Sequence, residues 1–381
     1  MFNEKLKNRL KIQSDSGLYR DPPDITGRDG KYIYINNKKI LNFASNDYLG
    51  VSCMEGFRKI VADNFLKYGT SSSSSRLVSG NYTAITEAEK AYAEYFGYDD
   101  AVFFPSGYQA NIGILSALMS REDIVIFDKH VHASLVKGIK LSGAAFTGYN
   151  HNSMPHLEKK LVRNAGRQPA LVTESLFSMD GDFLDVESVK TFRKKYNFFS
   201  IIDEAHAFGA AGFKGRGIAR DAADIAVGTF GKAFGFFGAF VLLPEGFKEY
   251  LMNFSSPFIY TTALPEAHAA SALSLIRIIE NSDERRGKLK KISGLMKDEL
   301  KNAGFNVRGD AHILALQIDD EENAATLSKL LLIDGIYIMP ARYPTVPAGK
   351  AVMRISITAL HDEEDIEKSV KFIKKRIRGL S

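Results

Sequence analysis

Between about residue 100 and residue 245, short apolar runs alternate with segments patterned for helices. The runs are Ala101–Phe104, Asp123–Phe127, Ala170–Thr173, Phe198–Asp203, Asp224–Gly228 and Gly238–Leu243. Their apolarity is continuous rather than alternating, which marks strands buried on both faces. The segments between them include Tyr108–Met119 and Val186–Tyr196, which carry the helical pattern. This series predicts an α/β fold of βαβ units with a mostly parallel sheet covered by helices. Its functional site is expected at the carboxyl ends of the strands.

Pro265 opens a long helical stretch with apolar positions at Ala270, Leu273, Leu275 and Ile276, and a second runs through Lys288–Leu300 to Gly304. The pattern then reads strand (Ile313–Ile318), helix (Ala324–Leu331), strand (Tyr337–Pro340), strand (Val352–Ile357) and helix (Ile366–Ile377). We expect an N-terminal segment over 1–45, a large domain over 46–285 and a small C-terminal α/β domain over 286–381. There are no internal repeats. The one low-complexity stretch, Thr70 followed by Ser71–Ser75, reads either as a flexible linker or as a loop whose hydroxyls and N–H groups line an anion site.

Composition narrows the function classes. The 381 residues are 45% hydrophobic and 25% charged, ordinary for a globular protein. The formal net charge of +5 is too small and too dispersed for nucleic-acid binding, and basic runs such as Lys374-Lys375-Arg376 fit solvated helix faces. Cys53 is the single cysteine, which excludes disulfides within the chain and cysteine-based zinc sites. Met1 to Lys11 is charged without an apolar core, and no uncharged apolar run approaches the ~20 residues of a membrane span. A cytoplasmic protein with no membrane partner is expected.

The densest chemical signal is Thr229-Phe230-Gly231-Lys232-Ala233-Phe234-Gly235, read with Asp203-Glu204-Ala205-His206. A lysine among small and apolar neighbours occupies a tight, partly buried turn, where its amine can hold an aldehyde as a Schiff base. Asp203, at the end of an apolar run, can keep a pyridine nitrogen protonated, and His206 can hydrogen-bond a ring oxygen or the aspartate. That set fits pyridoxal phosphate (PLP). Pro105-Ser106-Gly107-Tyr108-Gln109-Ala110-Asn111 lies between a strand and a helix, where helix-start N–H groups bind phosphate, with Thr229 as a further donor. The Gly-Lys pair is not a nucleotide-binding P-loop, because Ala233 replaces the magnesium-binding Ser/Thr and the four-residue gap is missing. Without such a loop Asp-Glu-Ala-His is no helicase box.

Asp128, His130 and His132 could suggest a metal, since histidines two apart on a strand share a face. No further ligand cluster accompanies them, so no metal site is expected, and a flat imidazole stacked on the PLP ring is the better use of His132. Arg354 sits inside a strand-like run and reads as a fork for a substrate carboxylate.

These motifs in this order resemble the α-oxoamine synthases, PLP enzymes of fold type I. The resemblance runs from Leu18-Tyr19-Arg20 and Asn46-Asp47-Tyr48-Leu49-Gly50 to Thr358-Ala359-Leu360-His361. It implies a seven-stranded, mostly parallel sheet and a decarboxylative condensation of an amino acid with an acyl thioester. Glu174-Ser175-Leu176-Phe177-Ser178-Met179-Asp180-Gly181-Asp182 and Pro344-Thr345-Val346-Pro347-Ala348-Gly349 are most similar to the branch that joins L-alanine to pimeloyl-CoA or a pimeloyl-acyl carrier protein. Sister branches, glycine C-acetyltransferase among them, share the core, and a non-catalytic partner subunit of the same fold would be expected to lack Lys232. Carried over, the family's roles make Lys232 the Schiff-base lysine and proton acceptor, Asp203 the pyridine partner and His132 the stacking ring and carbonyl donor. Ser178 and His206 contact the ring oxygen. Ser106, Gly107, Tyr108 and Thr229 hold the phosphate, with Thr261 or Thr262 from a second subunit of a homodimer. Asn46 and Arg354 receive the amino-acid carboxylate, and Arg20 and Thr345 line the acyl site. Departures from the family pattern are the serines at 71–75, Ile85 in place of a frequent histidine, and Phe236-Phe237 after the lysine motif.

Overall fold

A computed structural model describes residues 2–380; Met1 and Ser381 lie outside the described residues. The chain divides into two compact units. One comprises Leu49–Ser178 and Phe183–Arg286, and the other the described parts of Met1–Tyr48, Met179–Asp182 and Gly287–Ser381.

The first unit is built on a seven-stranded sheet: β1 (Asp100–Phe104), β2 (Ile124–Asp128), β3 (Ala145–Tyr149), β4 (Ala170–Glu174), β5 (Phe199–Asp203), β6 (Ile225–Thr229) and β7 (Ala239–Leu243). Their spatial order is β1-β7-β6-β5-β4-β2-β3. All neighbours are parallel except β7, which runs antiparallel to both β1 and β6. Every residue of β4 and β7 is buried, as continuous apolarity requires. The strand absent from the apolar runs is β3, whose sequence Ala-Phe-Thr-Gly-Tyr is mixed because it is an edge with its first two residues exposed.

Parallel neighbours need long crossovers, but antiparallel β6 and β7 are joined by one short loop, residues 230–238, and Lys232 sits in it. Phe230 and Phe234 anchor this loop. Both are fully buried in an aromatic cluster with Tyr92, Phe96, Phe103 and Phe240, with ring centroids 5.1 Å apart for Phe230–Phe240 and 5.6 Å for Phe234–Phe240. Burial of each phenylalanine contributes about 2–3 kcal/mol. The backbone closes through Phe230 N–H to Gly238 O (3.0 Å), Gly235 N–H to Lys232 O (2.8 Å) and Phe236 N–H to Phe230 O (2.9 Å). Gly235 has φ 62°, and a Cβ there would meet Ser52 N at 2.3 Å, so only glycine fits.

The second unit carries two four-stranded sheets. An antiparallel meander, Ile25–Asp29, Tyr32–Ile35 and Lys38–Asn42, is extended by Ile336–Tyr337 in parallel. The other orders Val307–Arg308, Ile313–Asp319, Ala351–Ser356 and Met339–Ala341, all antiparallel. The single strand expected over Tyr337–Pro340 is therefore two. Tyr337 pairs with Asn42 in one sheet and Met339 with Arg354 in the other, a switch that side-chain alternation cannot encode. Among the described residues no helix is long and apolar enough to cross a membrane.

Candidate active site

Strand ends of the large sheet gather the candidate groups of the first unit. Asp203 closes β5 and is buried; its Oδ1 accepts the Ala205 N–H at 2.9 Å and its Oδ2 the Asn111 amide at 2.8 Å. Asn111 belongs to α1 (Gly107–Leu118), and its Nδ2 also donates to Ser134 Oγ at 2.9 Å. Ser134 Oγ lies 2.7 Å from His132 Nδ1. A continuous, largely buried hydrogen-bonded chain thus links the strand-end carboxylate to the imidazole.

His132 is not on a strand. β2 ends at Asp128, and His132 is the N-cap of α2 (Ala133–Ser142), its Nδ1 accepting the Ser134 N–H at 3.4 Å. The pairing of His130 and His132 on one strand face is therefore corrected: both follow the strand in a turn. The turn is held by Asp128, which accepts from His130 N–H at 2.8 Å and Asn152 N–H at 2.7 Å. Although His132 is exposed, surrounding protein desolvates its ring enough to hold its pKa below the ordinary value. Lys232 lowers it further and Asp203 opposes the shift.

The charges of Asp203 and Lys232 act on Glu174 as well as on His132, so these four groups form one electrostatic cluster. Glu174 ends β4 and is buried. Desolvation and the Asp203 charge push its carboxyl up to about 8, against Lys232 and two backbone N–H donors. Lys232 is half-buried, Ser178 and His206 are buried, and His206 lies in the turn directly after β5.

α1 starts because Ser106, in extended conformation, caps it: Ser106 Oγ accepts the Gln109 N–H at 3.2 Å. The N–H groups of Gly107 and Tyr108 keep no acceptor among the described residues at this positive helix end. A Cβ on Gly107 would lie 3.9 Å from Thr229 Cβ, so Thr229 stands beside the helix start. Its Oγ1 donates to Gly238 O at 3.0 Å and accepts the Gly231 N–H at 3.1 Å. Unpaired amides for an anion, a buried carboxylate for a pyridine nitrogen and an amine in the same charge cluster are the donor set PLP needs, and the residues fit it.

Thr261 is half-buried, lining a small cavity with Pro105, Phe103 and Ile85, and Thr262 is exposed. The serine run is stitched to this segment rather than forming a loose linker. Ser72 Oγ donates to Ala263 O at 2.7 Å, and Ala263 N–H donates to Ser74 O at 2.9 Å. Ile85 is core, and Phe236 stacks on His268.

In the second unit Arg354 and Asn46 meet. Asn46 Oδ1 accepts from both terminal nitrogens of Arg354 at 3.5 and 3.4 Å and from the Tyr48 hydroxyl at 3.1 Å. Arg354 also donates to Ser356 Oγ at 2.5 Å. Burial pushes the Tyr48 phenol up to about 12 while Arg354 opposes it. Arg20 and Thr345 are exposed, and Arg342 ties the turn before Thr345 to the Gly17 carbonyl, three residues before Arg20. The sequence reading missed Asn111, Ser134 and Glu174. Glu174 did carry a signal, since it closes an apolar run just as Asp203 does.

This sheet, with its lysine loop between β6 and β7 and its strand-end aspartate, defines a PLP-dependent transferase of fold type I. The family model for aminotransferase class I and II matches residues 38–373. The 8-amino-7-oxononanoate synthase of Geobacter sulfurreducens is 37% identical over 379 residues, 97% of each chain. Among solved structures, the serine palmitoyltransferase of Sphingomonas wittichii superposes with TM-score 0.91 at 29% identity, covering 99% of this chain and 97% of that one. The 8-amino-7-oxononanoate synthase of Francisella tularensis gives TM-score 0.78 at 29% identity, covering 90% and 98%. The chain belongs to the α-oxoamine synthases, within the class I and II aminotransferase family, and its cofactor is PLP.

Proposed function

We propose that this enzyme condenses L-alanine with a pimeloyl thioester, on coenzyme A or an acyl carrier protein, to give 8-amino-7-oxononanoate, carbon dioxide and the free thiol. The cluster of Lys232, Asp203, His132 and Glu174 supports the PLP chemistry, and the similarity to 8-amino-7-oxononanoate synthases, 37% identical over 97% of the chain, supports the choice of substrates. PLP, when bound, supplies an electron sink that stabilises negative charge at the amino acid's Cα.

Lys232 would hold the cofactor covalently, and its amine, when free, would take the Cα proton. Asp203 keeps the ring nitrogen protonated, with Asn111 and the Ala205 N–H fixing both carboxylate oxygens. His132 would lie against the ring, as the resemblance assigns it. Its Nδ1 accepts the Ser134 N–H and its lowered pKa disfavours the imidazolium, so the Nε2 proton is the one that would be offered to the thioester carbonyl. Ser178 and His206 bind the ring oxygen. Ser106, Gly107, Tyr108 and Thr229 bind the phosphate, completed by Thr261 or Thr262 of the partner subunit in a cytoplasmic homodimer. Asn46 and Arg354 keep the amino-acid carboxylate and Arg20 and Thr345 the acyl chain, as the resemblance assigns them.

The test is thiol release by the PLP-loaded protein with L-alanine, glycine or L-serine, each paired with pimeloyl-, acetyl-, succinyl- or palmitoyl-CoA. Turnover confined to L-alanine with pimeloyl-CoA is the expected result. The higher TM-score to serine palmitoyltransferase, 0.91 against 0.78, favours a sister synthase as second reading. Preference for glycine or L-serine with another acyl group would establish it and overturn the first.

A further inference from the structure

We propose that Glu174 is a positioning residue whose single carboxyl group pins the backbone of both His132 and Ser178 and so sets where their side chains stand relative to Asp203. Topology puts it there. β4 lies between β2 and β5, so the residue at its carboxyl end stands between the loops leaving both neighbours. Glu174 is in direct register with Asp203 across the β4–β5 pair. Its Oε1 accepts the His132 N–H at 2.5 Å and its Oε2 the Ser178 N–H at 3.2 Å. One hydrogen bond reaches the loop after β2, and the other folds its own chain back four residues on.

A carboxyl is suited to this in a way no apolar residue is. Two acceptor oxygens on one planar group satisfy two N–H donors that would otherwise compete for a single partner or stay unpaired under the site. Asp203, Lys232 and His132 are the charged and titratable groups acting around it. This inference rests on the proposed roles of His132 and Ser178, and on neither substrate.

The experiment compares wild type with Glu174→Gln and Glu174→Met by hydrogen–deuterium exchange of peptides spanning 129–135 and 175–181, with and without PLP. Visible circular dichroism of the bound cofactor and steady-state kinetics on whichever substrate pair the enzyme turns over accompany it. The amide in Glu174→Gln keeps one acceptor oxygen, so exchange should quicken in one of the two peptides and kcat fall roughly tenfold with KM little changed. Methionine keeps no such acceptor. Both peptides should then exchange roughly tenfold or more faster, and the cofactor's dichroism should change. Wild-type exchange, dichroism and kcat in both variants would overturn the proposal. So would variants that fail to fold, because they would assign Glu174 to stability. Exchange in the cofactor-free chain needs no substrate, so failure of the L-alanine and pimeloyl-CoA reading leaves this test intact.

Discussion

Acidification should destabilise the fold around the loop that carries Lys232, through His268, because its protonated ring would bury a charge. This imidazole is fully buried; its Nε2 lies 2.6 Å from the Phe237 carbonyl, and its ring stacks on Phe236 with centroids 4.7 Å apart. Nδ1 has no partner among the described residues, so a proton added there enters an apolar, aromatic surrounding without an acceptor. Burial accordingly lowers the pKa from 6.5 to about 4. The folded chain binds this proton less readily than the unfolded one. The neutral ring's contribution is therefore complete above pH 6.5 and is lost as pH falls toward 4. A gap of about 2.5 pH units corresponds to about 3 kcal/mol in full and to about 2 kcal/mol at pH 5. His268→Gln retains an N–H donor of similar reach and removes the titration. Urea unfolding of both proteins at pH 8 and pH 5, followed by far-UV dichroism and by cofactor absorbance, measures the difference. The wild type should lose about 2 kcal/mol more than the variant between the two pH values. Equal losses would refute the reasoning, because every other titrating group is common to the two proteins.

Two further outcomes follow from buried or paired arginines. Arg354→Ala should raise KM for the amino acid roughly 10- to 100-fold, the worth of a charge-assisted hydrogen bond to a carboxylate, with a smaller effect on kcat. An unchanged KM in steady-state kinetics would remove Arg354 from that role. Arg76→Met should destabilise the chain by about 3 kcal/mol in urea unfolding. Among the described residues it leaves the fully buried Glu89, which Arg76 grips at 2.7 and 3.0 Å, with only Lys248 at 3.2 Å and the Phe103 N–H at 2.9 Å. A loss under about 1 kcal/mol would show that those two partners suffice.

The strands of the large sheet whose residues are buried, the edge strand Asp100–Phe104 among them, were legible in the sequence because such burial imposes continuous apolarity, and that pattern survives without tertiary information. The edge strand Ala145–Tyr149 and the meander over residues 25–42 escaped, since half-exposed strands with Lys, Asn and Gly read like loops. Lys232 and Asp203 were legible for a similar reason: charged residues placed against apolar runs at strand ends need a chemical justification that the sequence itself advertises. So was the helix cap at Ser106, which depends only on neighbours three residues away. By contrast Asn111 reaches Asp203 across 92 residues and Glu174 reaches His132 across 42. Neither pairing leaves a periodic trace, because hydrogen bonds between strand-end loops depend on which strands become neighbours. Strand order is decided by the packing of whole faces against one another. The sequence by itself determined which groups could do chemistry here; the order of strands in the sheet decided which of them meet.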